Sequence, residues 1–361
     1  MWKHPYCLLL VILFFFQFTD AQSKKYYFFH PENRFGSDLA FNPANVFING
    51  SFDILRNGGH DKNIFRQSYK IGWENVWYNI SDPISNIEEY GWHNFLEREC
   101  FNLTLNSSKG QFIPNITTHL IGNGMLYVMM AEWYDYHHVK FPYLTSIVTT
   151  TLYQVLNEVV ENSSYRGLNP DPISDLLIYN PLGIILFSTE FGKRLFSESF
   201  PLYNWSLQPV IDPRNGRLEN AGQQYCIKWK IPFSERYSLF FYWGINGLGG
   251  ITYSRDNVHN YSFGLATVAN KLNEKRLNGA RFLTPTMDGA VGFFYDKKHS
   301  LMWSVIMSGP RMYNARINIY PGVLHNQWYT PGVYIGFGEW DKFICGFSIS
   351  HLPLGLAAGR K

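Results

Sequence analysis

Charge is scarce in this chain. Asp, Glu, Lys and Arg supply 16% of its 361 residues, against roughly a quarter in an ordinary soluble domain. The net charge of +3 and the lack of any long Lys/Arg run exclude the electrostatic footprint of a nucleic-acid binder. Cysteine is scarce too. Cys7 precedes the N-terminal apolar run, and Cys100, Cys226 and Cys345 are far apart, a spacing that signals neither a disulfide framework nor a zinc site. There is no Gly-x-Ser-x-Gly elbow, no His-Glu-x-x-His pair and no glycine-rich phosphate loop, so the common hydrolase, zincin and nucleotide-binding classes lack their signatures. No cofactor or metal is expected.

Aromatic residues are abundant, 18% of the chain and about twice the usual share. Rings at that density need a large core or a lipid-wetted surface. The N-terminus supplies a compartment. Lys3 and His4 precede "CLLLVILFFFQF", and "TDAQS" follows. A basic start, a short apolar centre and a small residue before the cut at Ala21 are the parts of a secretory signal peptide over residues 1–21. An uncleaved anchor is the alternative, although the run is short for a spanning helix.

Three styles of patterning follow. Residues 22–114 mix signals: "NVFINGSFDIL" and "QSYKIGWENVWYNI" have strand composition, and "DPISNIEEYGWHNFLEREC" reads as a turn and a short helix. Residues 115–205 carry helical periodicity, with Leu120, Met125, Val128, Met129 and Trp133 on one face. A second helix starts after Pro142. A third spans "DPISDLLIYNPLGIILFSTEFGKRLF", with Asp171 or Ser174 as cap and Pro181 as a kink or break. All three are apolar nearly all round and must be buried in something.

Residues 206–361 alternate with period two. Tyr237, Leu239, Phe241, Trp243 and Ile245 share a face. Phe343, Cys345, Phe347 and Ile349 oppose Gly346, Ser348 and Ser350. Eight or nine such runs, apolar and aromatic on one side and small or polar on the other, carry the dyad signature of a membrane β-barrel. A soluble secreted sandwich or barrel produces the same alternation with its apolar face inward. The chain's end, "HLPLGLAAGRK", departs from the aromatic-terminated last strand of outer-membrane barrels. The expected fold class is mixed and predominantly antiparallel β: an outer-membrane β-barrel with a three-helix apolar insert in its lumen or at its periplasmic mouth. Helices in the lumen require ten to fourteen strands, with residues 45–80 contributing.

Polar residues interrupt the helical region at suggestive places. "QFIPNITTHLIGNGMLYVMMAEWYDYHH" holds Pro114, Asn115, His119, Gly122, Gly124, Met125, Glu132, Trp133 and Tyr134. "LNEVVENSSYRGLNPDPISDLLIYNPLGIILF" holds Asn157, Glu158, Glu161, Asp171, Pro172, Asp175, Leu176, Asn180, Gly183 and Phe187. At these positions the chain resembles an uncharacterised bacterial family of envelope proteins. Its pattern looks like "PN..LH..G.GM....EWY", "NE..E" and "DP..DL...N..G..LF". The likeness covers roughly residues 45–205. It implies a Gram-negative envelope location, the outer membrane or alternatively the periplasm, and no established chemistry.

Two functions are compatible with these residues. His119, Glu158 and Asp175 could form a base, an orienting acid and a partner for a hydrolase or acyltransferase acting on membrane lipid. Alternatively Glu132, Glu161, Asp171 and Asn180 join them in a structural polar cluster. Glu158 then pairs with Arg166 or binds helix-end amides, and the protein has a structural, binding or transport role. A charge stranded among apolar helices must be paired or have its pKa shifted. His137 and His138 read as a solvated surface pair. Membrane lipid is the expected partner.

Overall fold

The structure, a computed structural model, describes residues 26–56, 61–101, 116–244, 247–256, 258–309, 313–324, 329–339, 341–350 and 352–360. The expected signal segment, Pro114 and Asn115 lie outside these. The molecule has a helical layer through Ser199 and a thirteen-stranded, mostly antiparallel sheet from Leu202 onward.

The N-terminal region is helical, which overturns the strands expected there. Helix α1 (Pro43–Ser51) starts where Asn42 accepts a hydrogen bond from the Asn45 amide and Pro43 fills the first turn. Helix α2 (Tyr69–Ser81) and helix α3 (Pro83–Tyr90) follow. Their Trp, Tyr, Ile and Val content has strand character, but their buried amides recur every four residues. Asn49 donates to Asn45 Oδ1 at 2.8 Å and Asn79 donates to the Asn75 carbonyl at 2.9 Å. The described residues within 45–80 therefore give no named strand to the sheet, and among them Asn63 alone bridges to Arg217.

The three expected helices are present. Helix α4 (Asn123–Tyr136) follows a wide π-turn at Ile116–Gly122, and helix α5 (Pro142–Glu161) begins at its proline. The third runs from Asp171 through a π-turn at Ser174–Tyr179 into helix α6 (Asn180–Ser188). Pro181 does not break it, because the looser i→i+5 turn before it accommodates the missing amide. The chain bends by 87° instead at Thr189, whose hydroxyl caps the next helix by accepting from the Gly192 amide at 3.0 Å. Helix α4 is central and buried from Asn123 to Glu132. It packs between α5 and α6, with Tyr225 and Trp243 of the sheet closing the same core.

The strands are β1 (Leu202–Asn204), β2 (Val210–Asp212), β3 (Arg217–Glu219), β4 (Tyr225–Lys230), β5 (Tyr237–Trp243), β6 (Gly247–Ser254) and β7 (His259–Leu277). They continue as β8 (Ala280–Lys297), β9 (Ser300–Ser308), β10 (Ala315–Ile319), β11 (Pro331–Phe337), β12 (Phe343–Ile349) and β13 (Gly355–Arg360). Their order is β1-β4-β5-β6-β7-β8-β9-β10-β11-β12-β13-β2-β3. Among the described residues no ladder joins the edge strands β1 and β3, so the sheet is not closed into a barrel. One run of chain, residues 202–212, nevertheless supplies β1 beside β4 and β2 beside β13.

The alternation read from the sequence holds along most strands. Tyr237, Leu239, Phe241, Ile251, Phe263, Phe293, Phe347 and Ile349 point outward and are exposed. Phe240, Tyr242, Thr252, Ser262, Phe294, Ser304 and Ser348 point inward and are buried. The inner side also buries an ion pair, Lys228 with Asp296, with the ammonium 4.8 Å from the Trp205 ring centroid. The inside thus combines these polar groups with an aromatic and aliphatic core of Trp205, Phe240, Tyr242, Leu248, Phe294 and Ile306, while further large apolar side chains face out. Trp243, expected to share the face of Phe241, is buried against the helices. The hairpin β7–β8 is far longer than its neighbours, and its turn at Asn278 and Gly279 reaches the helical layer, where the Asn278 amide donates to the Tyr90 carbonyl at 3.1 Å.

Candidate functional site

Most of the suspected polar residues converge at one place, under the tip of that hairpin. Glu158 and Glu161 come from the last turn of α5, three residues apart and so on one face. Asp171 and Asp175 lie at the start of the third helix, and His119 comes from the π-turn before α4. Glu99 joins them from the wide turn Leu96–Cys100. All five carboxyl groups are buried.

They are held chiefly by one another. Asp171 is hydrogen-bonded by side chain to Glu99 and to Glu161, and Asp175 to Glu158. Ser174 Oγ donates to Asp175 Oδ1 at 2.9 Å. Two carboxyl oxygens share such a bond only if one carries a proton. Burial first, and the Asp171 carboxyl next to them, hold Glu99 and Glu158 well above the ordinary carboxylate range, and the same two causes raise Asp175. Glu161 is pushed up to about 8 by burial and Asp171, with Arg281 pulling the other way.

The histidine fits the same protonation. Its Nδ1 lies 3.1 Å from Asn180 Oδ1 and its Nε2 lies 3.0 Å from Asp175 Oδ2. Burial lowers its pKa to about 4, so the ring is neutral and carries one N–H. With the Asn180 oxygen turned towards it, that proton sits on Nδ1. Nε2 then accepts, and the donor is a protonated Asp175.

Two cations border the cluster. Arg281, just past the hairpin turn, donates through Nη1 to Asn162 Oδ1 at 3.0 Å, and its backbone amide donates to the Leu168 carbonyl at 2.9 Å. Arg98 sits beside Glu99 and over the Phe282 ring. Asn169 completes the wall by donating to Asn162 Oδ1 at 2.6 Å. The space enclosed by Arg98, Glu99, Glu161, Asn169 and Asp171 is about 10 Å³, room for roughly one water molecule.

Several expectations change. Glu132 is not part of the cluster. Its carboxylate accepts from the backbone amides of Tyr27, Phe28 and Phe29 at 2.7, 2.9 and 2.9 Å, pinning the N-terminal segment to α4. Thirteen residues along a helix cannot bring it back to His119. Glu158 does not pair with Arg166, which bonds Glu74 at 3.1 Å on the surface. Pro170 holds the cap position of the third helix, with Asp171 inside its first turn, so neither Asp171 nor Ser174 is the cap. Glu99, Asn162, Asn169 and Arg281 were not anticipated. Asn162 was accessible, since it continues the four-residue spacing from Glu158. The Asn278-Gly279 pair marks a hairpin turn but gives no hint of where Arg281 lands.

Glu158, Asp171 and Asp175 each present an oxygen within 4.8 Å of the others, the one such set among the described residues. Hard oxygen donors at that spacing suit Ca²⁺, Mg²⁺ or Mn²⁺. The cluster can therefore exist in two chemical states, closed by shared protons or closed by a divalent cation. No family model, curated protein or solved structure matches this chain.

Proposed function

We propose that this is a membrane-embedded envelope protein of the outer membrane. In this reading its sheet forms a barrel-like wall against lipid, and its role is structural or binding. The observation that carries the reading is the apolar outer face of the sheet: rings and aliphatic side chains stay exposed there, although an aromatic core, hydroxyls, amides and an ion pair are buried inside. Water on the outer face would leave that apolar surface unburied, whereas hydrocarbon accounts for it. The resemblance to an envelope family points to the same address.

Within this reading the carboxyl cluster is a clamp. It fastens the end of α5, the start of the third helix, the turn at Glu99 and the long β7–β8 hairpin to each other, so the helical layer and the sheet move as one. The test is extraction and migration. The purified chain requires detergent, resists alkaline carbonate extraction from membranes, and migrates differently in gels before and after boiling. Recovery as a detergent-free soluble monomer overturns the reading.

A further inference from the structure

The helical layer, like the sheet, turns large apolar side chains outward. Along α5, Ser146, Thr150, Gln154 and Glu158 recur every fourth residue and are 0%, 0%, 4% and 2% exposed. Leu144, Val148 and Leu152, also four apart, are 49%, 50% and 56% exposed. Helix α6 buries Asn180 and exposes Leu182 and Ile185, and α2 buries Asn75 and Asn79 while exposing the stacked pair Trp73 and Trp77. A helix on a water-facing surface does the reverse.

We propose that the outward faces of α5 and α6 lie in the interfacial plane of a bilayer, with their aliphatic side chains among the acyl chains. The helical layer is then a second lipid-contacting surface beside the sheet, rather than a plug in its lumen. No single helix among the described residues is long and apolar enough to cross a membrane, but helices lying in the plane need only an apolar face sunk about 5–10 Å. Three observations favour lipid over a protein partner. The loop leading into α5 exposes His137, His138 and Lys140 and, from His137 to Phe141, has no carboxylate, which complements phosphate headgroups. The band is also continuous with the outer face of the sheet: Phe200, just past the segment after α6, has its ring 5.4 Å from that of Trp229 on β4, and Trp229 is exposed. Trp73 and Trp77, on the helix packed along the later half of α5, have the residue type enriched at the headgroup boundary.

The proposal extends the reading of the sheet, and a control on the sheet separates the two. The full chain, with Cys345→Ser to remove the half-buried thiol, is labelled with an environment-sensitive fluorophore at Val148→Cys or Ile185→Cys. Phe263→Cys is the sheet control and Arg166→Cys the water control. Each is reconstituted into phosphatidylcholine–phosphatidylglycerol vesicles. Labels at 148 and 185 are expected to be quenched at least twofold more by spin-labelled lipid than the label at 166, and to resist iodide as the label at 263 does. Quenching of 148 and 185 by iodide, with 263 still quenched by lipid, overturns this proposal and leaves the sheet reading standing. Iodide quenching at all three overturns both. Shielding of 148 and 185 from both quenchers means a protein covers them, and also overturns it. Should either variant fail to assemble, Leu152→Cys and Leu182→Cys report on the same two faces.

Discussion

Replacing Glu161 by Gln separates the two chemical states of the carboxyl cluster. In the protonated state Glu161 keeps its proton up to about 8 in the folded chain and releases it near 4.5 when unfolded. Below pH 4.5 the group is neutral in both forms and costs nothing. As pH rises through the window the unfolded chain loses the proton while the folded chain retains it, so folding stability falls by ~1.4 kcal/mol per pH unit for this group. By pH 8 the loss reaches ~5 kcal/mol. Glu99, Glu158 and Asp175 are displaced in the same direction, so they steepen the slope. Arg98, Arg281, the neutral His119, Cys100 and Tyr179 are titratable groups beside the cluster, and Tyr90 touches Glu99 at 3.4 Å. Glutamine has the carboxyl's shape, can still donate to Asp171, and has no proton to lose. E161Q should therefore match the parent near pH 4.5 to within ~1 kcal/mol, exceed it by several kcal/mol at pH 8, and show a shallower slope between. Urea unfolding in detergent micelles, followed by tryptophan fluorescence from pH 4.5 to 8.5, measures all three. Parent stability that rises with pH, or an E161Q chain weakened at pH 8, refutes the shared-proton state and favours carboxylates gathered round a cation.

Arg281→Met removes the cation that restrains Glu161 and the donor to Asn162; unfolding midpoints should drop by ~2–4 kcal/mol at pH 8 and by less at pH 5, and equal losses at both pH values would mean that Arg281 acts only by packing. Gly72→Ala places a methyl group 1.9 Å from the Val159 carbonyl oxygen, forcing α2 off α5, so the melting temperature should fall by the equivalent of ~2–3 kcal/mol. Gly249→Ala meets nothing within 4 Å and should change stability by less than about 0.5 kcal/mol.

Period was the signal that carried from sequence to fold, and it failed where the polar residues carried it. The strands from β5 to β12 were recognisable because Tyr237, Leu239 and Phe241, or Phe343, Cys345 and Phe347, alternate with small or polar neighbours. In α2 the four-residue rhythm lies in Asn75 and Asn79, and the hydrophobic residues of a reversed helix look like those of a strand. The same reversal applies to α5 and α6, where equating apolar with buried misplaces Leu144, Val148, Leu182 and Ile185, which face outward.

Local chemistry fixed which residues are special: His119, Glu158, Glu161, Asp171, Asp175 and Asn180 stand out as polar groups in apolar surroundings, where burial demands partners. Who those partners are was settled by contacts across long stretches of chain. Glu132 found the amides of residues 27–29, over a hundred positions away, and Arg281 arrived on a hairpin 119 residues from Asn162. Periodicity constrains a residue's own turn or pleat; it contains nothing about where a hairpin lands, and pairing energies between distant groups exist only once packing has brought them together.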